Sequence, residues 1–294
     1  MFKGSIVALV TPFKNGKVDK ERILELVEFH IKEGTDGIVP CGTTGESATL
    51  SHDEHKEVVS IVVEAVNKRI PVIAGAGSNC TSESINLAHH AKNVGADAIL
   101  AVTPYYNKPT QNGLYAHYST IANEVDIPLI LYNVPSRTGV NLLPETVVRL
   151  SEIKNIVGVK EASADLRQQT KIVELCRGDF ALISGDDFTL LPTLSIGGVG
   201  VISVVANIVP KDVANLIKEF NLGNFDEAKK LHYKIFPVCE AMFIETSPVP
   251  VKEALGMMGM ILPEVRLPLV PLTNANREKV REVLQTYRLI PNNT

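Results

Sequence analysis

Eight strand-sized apolar runs, each followed by a longer amphipathic stretch, constrain this chain more than any other feature. The runs cover 5–10, 37–41, 71–76, 98–103, 128–134, 156–160, 181–184 and 199–204, and helical patterns cover 19–33, 51–67, 82–94, 112–124, 144–152, 165–176 and 187–195. A short, continuous apolar run reads as a strand buried on both faces. Strands separated by helices pair in parallel, because parallel neighbours need a long crossover. About eight such units in succession predict an α/β fold, the (β/α)₈ TIM barrel. An open doubly wound sheet shares the local pattern, but no Gly-rich dinucleotide fingerprint follows the first run.

After residue 210 the strand signal stops. Helical patterns follow at 210–221, 224–243, 248–258 and 274–288, separated by proline-containing loops around Pro248, Pro250 and 263–271. The first completes the last barrel unit. The others form a C-terminal helical extension, giving a catalytic barrel over 1–222 and a helical domain over 223–294. No low-complexity linker separates them, so the extension is expected to pack on the barrel. Helix starts are marked by a capping box at Ser51-His52-Asp53-Glu54 and by candidate N-caps at Asp19, Thr81 and Asp165.

The 294 residues carry a formal net charge of -4, which leaves no basic footprint for nucleic acid. The apolar runs are too short for a bilayer, and the one at the start is too short for a secretory signal. Cys41, Cys80, Cys176 and Cys239 show no paired spacing, which argues against a disulfide scaffold and a zinc knuckle. A cytoplasmic protein with reduced thiols is the simplest expectation.

Lys160 lies within Ile156-Val157-Gly158-Val159-Lys160-Glu161-Ala162, so an ammonium falls in a buried strand. Burial favours the neutral amine, the nucleophile that forms a Schiff base with a carbonyl substrate. Two other readings are a lysine reaching the barrel rim and one paired with Glu161. Barrel active sites lie at the C-terminal ends of strands, so polar residues just after an apolar run are the candidates.

Gly42-Thr43-Thr44-Gly45-Glu46-Ser47 follows the second run. Its glycines, hydroxyls and backbone N–H groups suit a small carboxylate, although an ordinary polar turn has the same composition. Pro104-Tyr105-Tyr106-Asn107 follows the fourth run. Tyr132-Asn133-Val134-Pro135-Ser136-Arg137-Thr138-Gly139 ends the fifth. A phenol beside the lysine can relay protons, and Arg137 can grip a carboxylate bidentately. Their alternatives are a strand-end tyrosine bonded to backbone and a solvated loop arginine. Ser184-Gly185-Asp186-Asp187 follows the seventh run and reads as a helix cap or a hydroxyl contact rather than a metal site. His52 and His55 share a helix opening, but no metal motif surrounds them. No metal site is expected.

Together these motifs resemble the dihydrodipicolinate synthase family of the N-acetylneuraminate lyase superfamily of Schiff-base aldolases, from Gly4-Ser5-Ile6-Val7-Ala8 to Arg266-Leu267-Pro268-Leu269. The loop Gly42–Glu46, the strand tyrosine and the strand lysine belong to the superfamily. Tyr105-Tyr106-Asn107-Lys108-Pro109 and Tyr132 to Gly139 are more specific to the synthases. The resemblance implies that Lys160 forms an imine with pyruvate, with no cofactor. It implies a proton relay of Tyr132, Thr43 and Tyr106, the last reaching a neighbouring subunit's site. Thr44 would hold the pyruvate carboxylate, Arg137 that of L-aspartate 4-semialdehyde, and Gly185 and the backbone of Ile202 would line the pocket. It also implies a homotetramer, a dimer of dimers, with an L-lysine feedback site at Ser47, Ala48, His52, His55, Asn79, Glu83 and Tyr105. Ser247 stands where the family often has Asn. Sister aldolases for N-acetylneuraminate or 2-keto-3-deoxy sugar acids share the lysine chemistry. A non-catalytic sugar-acid or keto-acid sensor would use the same scaffold.

Overall fold

Each apolar run becomes a wall strand in the computed structural model, which describes residues 2–292. The strands are β1 (Gly4–Ala8), β2 (Gly37–Val39), β3 (Ile73–Gly75), β4 (Ala98–Val102), β5 (Leu129–Asn133), β6 (Ile156–Glu161), β7 (Ala181–Ser184) and β8 (Gly200–Ser203). They pair in parallel in the spatial order β2-β1-β8-β7-β6-β5-β4-β3. A parallel bridge from Ile38 to Val72 joins the two ends and closes the barrel.

Helices alternate with these strands: α1 (Lys20–Lys32), α2 (His52–Val66), α3 (Thr81–Val94), α4 (Gln111–Glu124), α5 (Pro144–Ser151), α6 (Leu166–Leu175), α7 (Leu190–Ser195) and α8 (Pro210–Asn221). The extension adds α9 (Phe225–Met242), α10 (Val249–Met257) and α11 (Asn274–Thr286). These pack back on the barrel, as expected: Lys252 of α10 donates to the Thr11 carbonyl just after β1.

The caps follow local chemistry. Ser51 and Glu54 form the reciprocal capping box of α2. Asp19 and Asp165 accept from the first-turn amides of α1 and α6. Thr81 differs from expectation: it is the first residue of α3, behind Cys80. Its hydroxyl is 2.9 Å from His117 Nδ1, and this tertiary bond replaces the capping role. The stretch 187–195 divides into a tight turn, Asp187–Thr189, and α7. A short hairpin, Phe13–Lys14 against Lys17–Val18, falls where no strand pattern was legible.

Strand alternation produces two cores. Ile6, Val39, Ile73, Leu100, Ile130, Tyr132, Ile183 and Ile202 fill the barrel interior. Leu129, Leu131, Val159, Leu182 and Val201 face outward into the larger core beneath the helices.

Candidate active site

Lys160 stands in register with Tyr132 on β5 and Ile183 on β7. Both neighbours belong to the barrel interior, so Lys160 points inward at the C-terminal end of β6. Its Nζ lies 4.3 Å from the centre of the Tyr132 ring. The side chain is 6% exposed and makes no ion pair among the described residues. The interior wall leaves it room because glycine follows β7. A Cβ on Gly185 would sit 2.7 Å from Ala162 Cβ and 3.0 Å from Lys160 Cγ.

Glu161 is not its partner, which removes one of the alternatives. Alternation turns that carboxylate to the outer face, opposite Asn133. There it accepts from Asn133 Nδ2, from Gln168 Nε2 at 2.9 Å and from the Ser163 amide at 2.8 Å. Burial pushes its pKa up against these hydrogen bonds. The network ties the ends of β5 and β6 to α6 immediately behind the Tyr132–Lys160 pair.

An open cleft of about 760 Å³ lies over Lys160. Thr43, Thr44, Tyr132, Arg137, Lys160 and Gly185 all line it. The Gly42–Ser47 turn is held by bonds from the Gly45, Glu46 and Ser47 amides. The Thr43 and Thr44 amides donate to no backbone carbonyl among the described residues, which leaves two N–H donors for an anion. Arg137 follows Pro135 in a single helical turn and is exposed, with Nη2 3.4 Å from the Ser247 carbonyl. Ile202 is 1% exposed in the interior core, and Val204, two residues on, lines the cleft. Tyr106 lies away from the cleft, 89% exposed and at φ 71°.

Asp186 and Asp187 act in the scaffold. Asp186 caps the turn at Phe188. Asp187 accepts from Ser203 Oγ at 2.5 Å and from the Val204 and Val205 amides at 2.9 and 3.2 Å. It thereby fastens the end of β8. No group of three His, Cys, Asp or Glu among the described residues could form a metal cage.

A second cavity of about 430 Å³ adjoins the cleft and is lined by Ser47, Ala48, His52, His55, Glu83 and Tyr105. Asn79 is not in its wall; its carbonyl accepts from Asn107 Nδ2 at 2.9 Å. His55 is buried with Nδ1 unpartnered. Burial, then the nearby His52 and His90, push its pKa down to about 4. Thr43, Val134, Arg137, Thr246 and Ser247 line both cavities, so the two spaces share a wall.

The pair Glu46–Lys252 was not anticipated. Its side chains are 1% and 0% exposed, with Nζ 2.5 Å from Oε1. The available signal was Lys252-Glu253 within Val249-Pro250-Val251-Lys252-Glu253-Ala254-Leu255, two charges in an otherwise apolar helix.

No helix among the described residues is long and apolar enough to cross a membrane. The model of the dihydrodipicolinate synthetase family matches residues 1–287. A 4-hydroxy-tetrahydrodipicolinate synthase of Syntrophus aciditrophicus (strain SB) is 57% identical over 290 residues, covering 99% of this chain and 100% of that protein. The crystal structure of the chloride-inhibited dihydrodipicolinate synthase of Acinetobacter baumannii, complexed with pyruvate, superposes with a TM-score of 0.96 at 48% identity, covering 99% of this chain and 100% of the other. A lysine-bound enzyme of the same name from Cyanidioschyzon merolae gives a TM-score of 0.96 at 42% identity, covering 98% and 99%. Sequence motifs, barrel and full-length similarity agree: the chain belongs to the dihydrodipicolinate synthetase family.

Proposed function

We propose that this cleft carries out the 4-hydroxy-tetrahydrodipicolinate synthase reaction, condensing pyruvate with L-aspartate 4-semialdehyde through an imine on Lys160. The observation that carries the residue assignment is the inward-facing Lys160, unpaired by any carboxylate among the described residues and set 4.3 Å from the Tyr132 ring. The activity is that of relatives 57–58% identical over the full chain.

The Lys160 amine adds to the pyruvate ketone, and the carbinolamine loses water to give an iminium. Tyr132, with Thr43 and a neighbouring subunit's Tyr106, moves the protons of that step. The Thr43–Thr44 turn holds the pyruvate carboxylate. Loss of a methyl proton gives an enamine, which attacks the semialdehyde. Arg137 grips the carboxylate of that second substrate, and the aldehyde oxygen becomes the product hydroxyl. The adduct's own amine then attacks the iminium carbon and expels Lys160, closing the ring and regenerating the free enzyme. One water leaves per turnover.

The exposed Tyr106 phenol, held outside its own cleft, supports an isologous dimer in which each chain completes the other's relay, within a dimer of dimers. The adjoining cavity is read as the regulatory site for L-lysine: Glu83 offers a carboxylate to an ammonium, and Tyr105 a hydroxyl to a carboxylate.

Incubation with pyruvate and borohydride should add a stable mass at Lys160 alone. An adduct formed at full yield after Lys160→Ala would overturn the assignment. A coupled assay with aspartate semialdehyde and with sugar aldehydes should show turnover only with the former.

A further inference from the structure

The turn that presents Thr43 and Thr44 to the cleft is not self-supporting. It is entered at Cys41 with φ 54° and left at Glu46 with φ 53°, and L residues rarely adopt that left-handed backbone unless their surroundings impose it. Gly45 is wedged where a Cβ would lie 3.0 Å from the Cys41 nitrogen and 3.1 Å from the Leu9 carbonyl oxygen. The Gly45 carbonyl accepts from Thr11 Oγ1 at 2.7 Å.

The twist at Glu46 carries its side chain into the protein to a cation supplied from far along the sequence. Lys252 Nζ reaches Glu46 Oε1 at 2.5 Å and the Thr11 carbonyl at 2.9 Å, and lies 4.1 Å from the Phe13 ring centre. Glu46 Oε2 accepts from the Arg266 amide at 3.1 Å. The Arg266 guanidinium lies 4.3 Å from the Phe13 ring centre and binds Glu54 through both terminal nitrogens. One carboxylate therefore fastens the turn to α10, to the loop before α11 and, through Thr11, to the segment after β1.

We propose that the buried Glu46–Lys252 pair is a positioning device that aims the Thr43–Thr44 turn at the carboxylate of the keto-acid substrate. This rests on the functional reading above. Stability alone does not require charges here, because a buried ion pair can often be replaced by apolar groups of similar volume at little loss. What apolar replacements lack is direction. Charge-assisted bonds fix the angle at which a chain leaves them, and three and two residues before Glu46 stand the Thr43 and Thr44 amides that would meet the substrate anion.

The test is the double substitution Glu46→Leu with Lys252→Met, which removes both charges and keeps the volume. Thermal unfolding should stay near that of the parent protein. The KM for pyruvate should rise about tenfold or more, the equivalent of about one charge-assisted hydrogen bond. The KM for the aldehyde should change about twofold or less, and any fall in kcat, through the share of Thr43 in the proton relay, should be smaller than the rise in the pyruvate KM. Should the double variant not fold, Glu46→Gln keeps the shape and removes the negative charge, and it should raise the pyruvate KM about threefold or more without a matching fall in kcat. A folded double variant whose pyruvate KM stays within about twofold of the parent overturns the proposal, as does an unchanged KM in Glu46→Gln. Borohydride trapping separates the two ideas. Failure of the parent protein to trap pyruvate on Lys160 sinks the functional reading, whereas normal trapping with unchanged variant KM sinks the positioning role alone.

Discussion

Tyr132 and Lys160 occupy paired positions on adjacent parallel strands, and the Lys160 amine lies 4.3 Å from the Tyr132 ring centre. Register and side-chain alternation thus set an amine against a phenol on one wall of the barrel. Tyr132→Phe keeps the ring that packs there and removes only the hydroxyl. It should lower kcat about 10²-fold or more, as expected for the loss of a general acid–base group. Pyruvate trapping on Lys160 should slow but reach completion. A kcat unchanged by the substitution would remove Tyr132 from the relay.

Arg137 belongs to both cavity walls. Arg137→Ala should raise the KM for aspartate semialdehyde, or lower kcat/KM for it, by about one to two decades. That corresponds to roughly 1.5–3 kcal/mol for a charge-assisted pair. Imine formation with pyruvate should persist, and steady-state kinetics with each substrate varied in turn separates the effects. Unaltered semialdehyde kinetics would contradict the clamp.

Glu83 lines the adjoining cavity but not the cleft. L-Lysine can inhibit from there only by binding the less active state more tightly. Glu83→Ala should abolish the response to millimolar L-lysine and leave uninhibited activity near normal. Calorimetry and initial rates on the parent protein provide the control. Absence of both binding and inhibition would remove the regulatory site without touching the catalytic assignment.

His30 is completely buried, its Nδ1 3.2 Å from Thr35 Oγ1 and its Nε2 unpartnered. Burial pushes its pKa down to about 3. The unfolded chain therefore binds the proton more readily than the folded one. The associated stability is fully present above about pH 6.5 and is lost progressively as the pH falls toward 3. At pH 5 the loss from this residue is about 2 kcal/mol. Burial raises the pKa of Glu161 and Asp187, which favours the folded state as acid is added and opposes this trend. The parent's total slope mixes the two effects. Urea titrations of His30→Gln at pH 7 and pH 5 should show a loss on acidification smaller by about 2 kcal/mol. An identical slope would mean that His30 is protonated in the folded protein.

The barrel was legible because each wall strand is apolar on both faces and each covering helix is amphipathic. Lys160, Tyr132, Arg137 and the Gly42–Ser47 turn were legible because each ends or follows such a run, where barrel chemistry is found. The Glu46–Lys252 pair was not, since its partners are 206 residues apart and no local pattern connects them. Thr81 was misread for a related reason. The sequence shows a hydroxyl at a helix start, but not that His117 of α4 competes for it. Ile202 entered through the family resemblance rather than through any local pattern, and the closed barrel adds Val204, two residues on, to the cleft wall.

Lys160 and Glu161 are neighbours in sequence, yet one faces the barrel interior and the other the layer beneath α6. A slip of β6 by a single residue would turn each to the opposite face. In one direction it would put the Glu161 carboxylate where the nucleophile belongs; in the other it would put the Lys160 ammonium where the partners of Glu161 converge. Asn133, Gln168 and the Ser163 amide all donate to Glu161, and either slip would take that carboxylate away from them. The same three donors that satisfy a buried acid therefore also favour the native register of β6 over either neighbouring one.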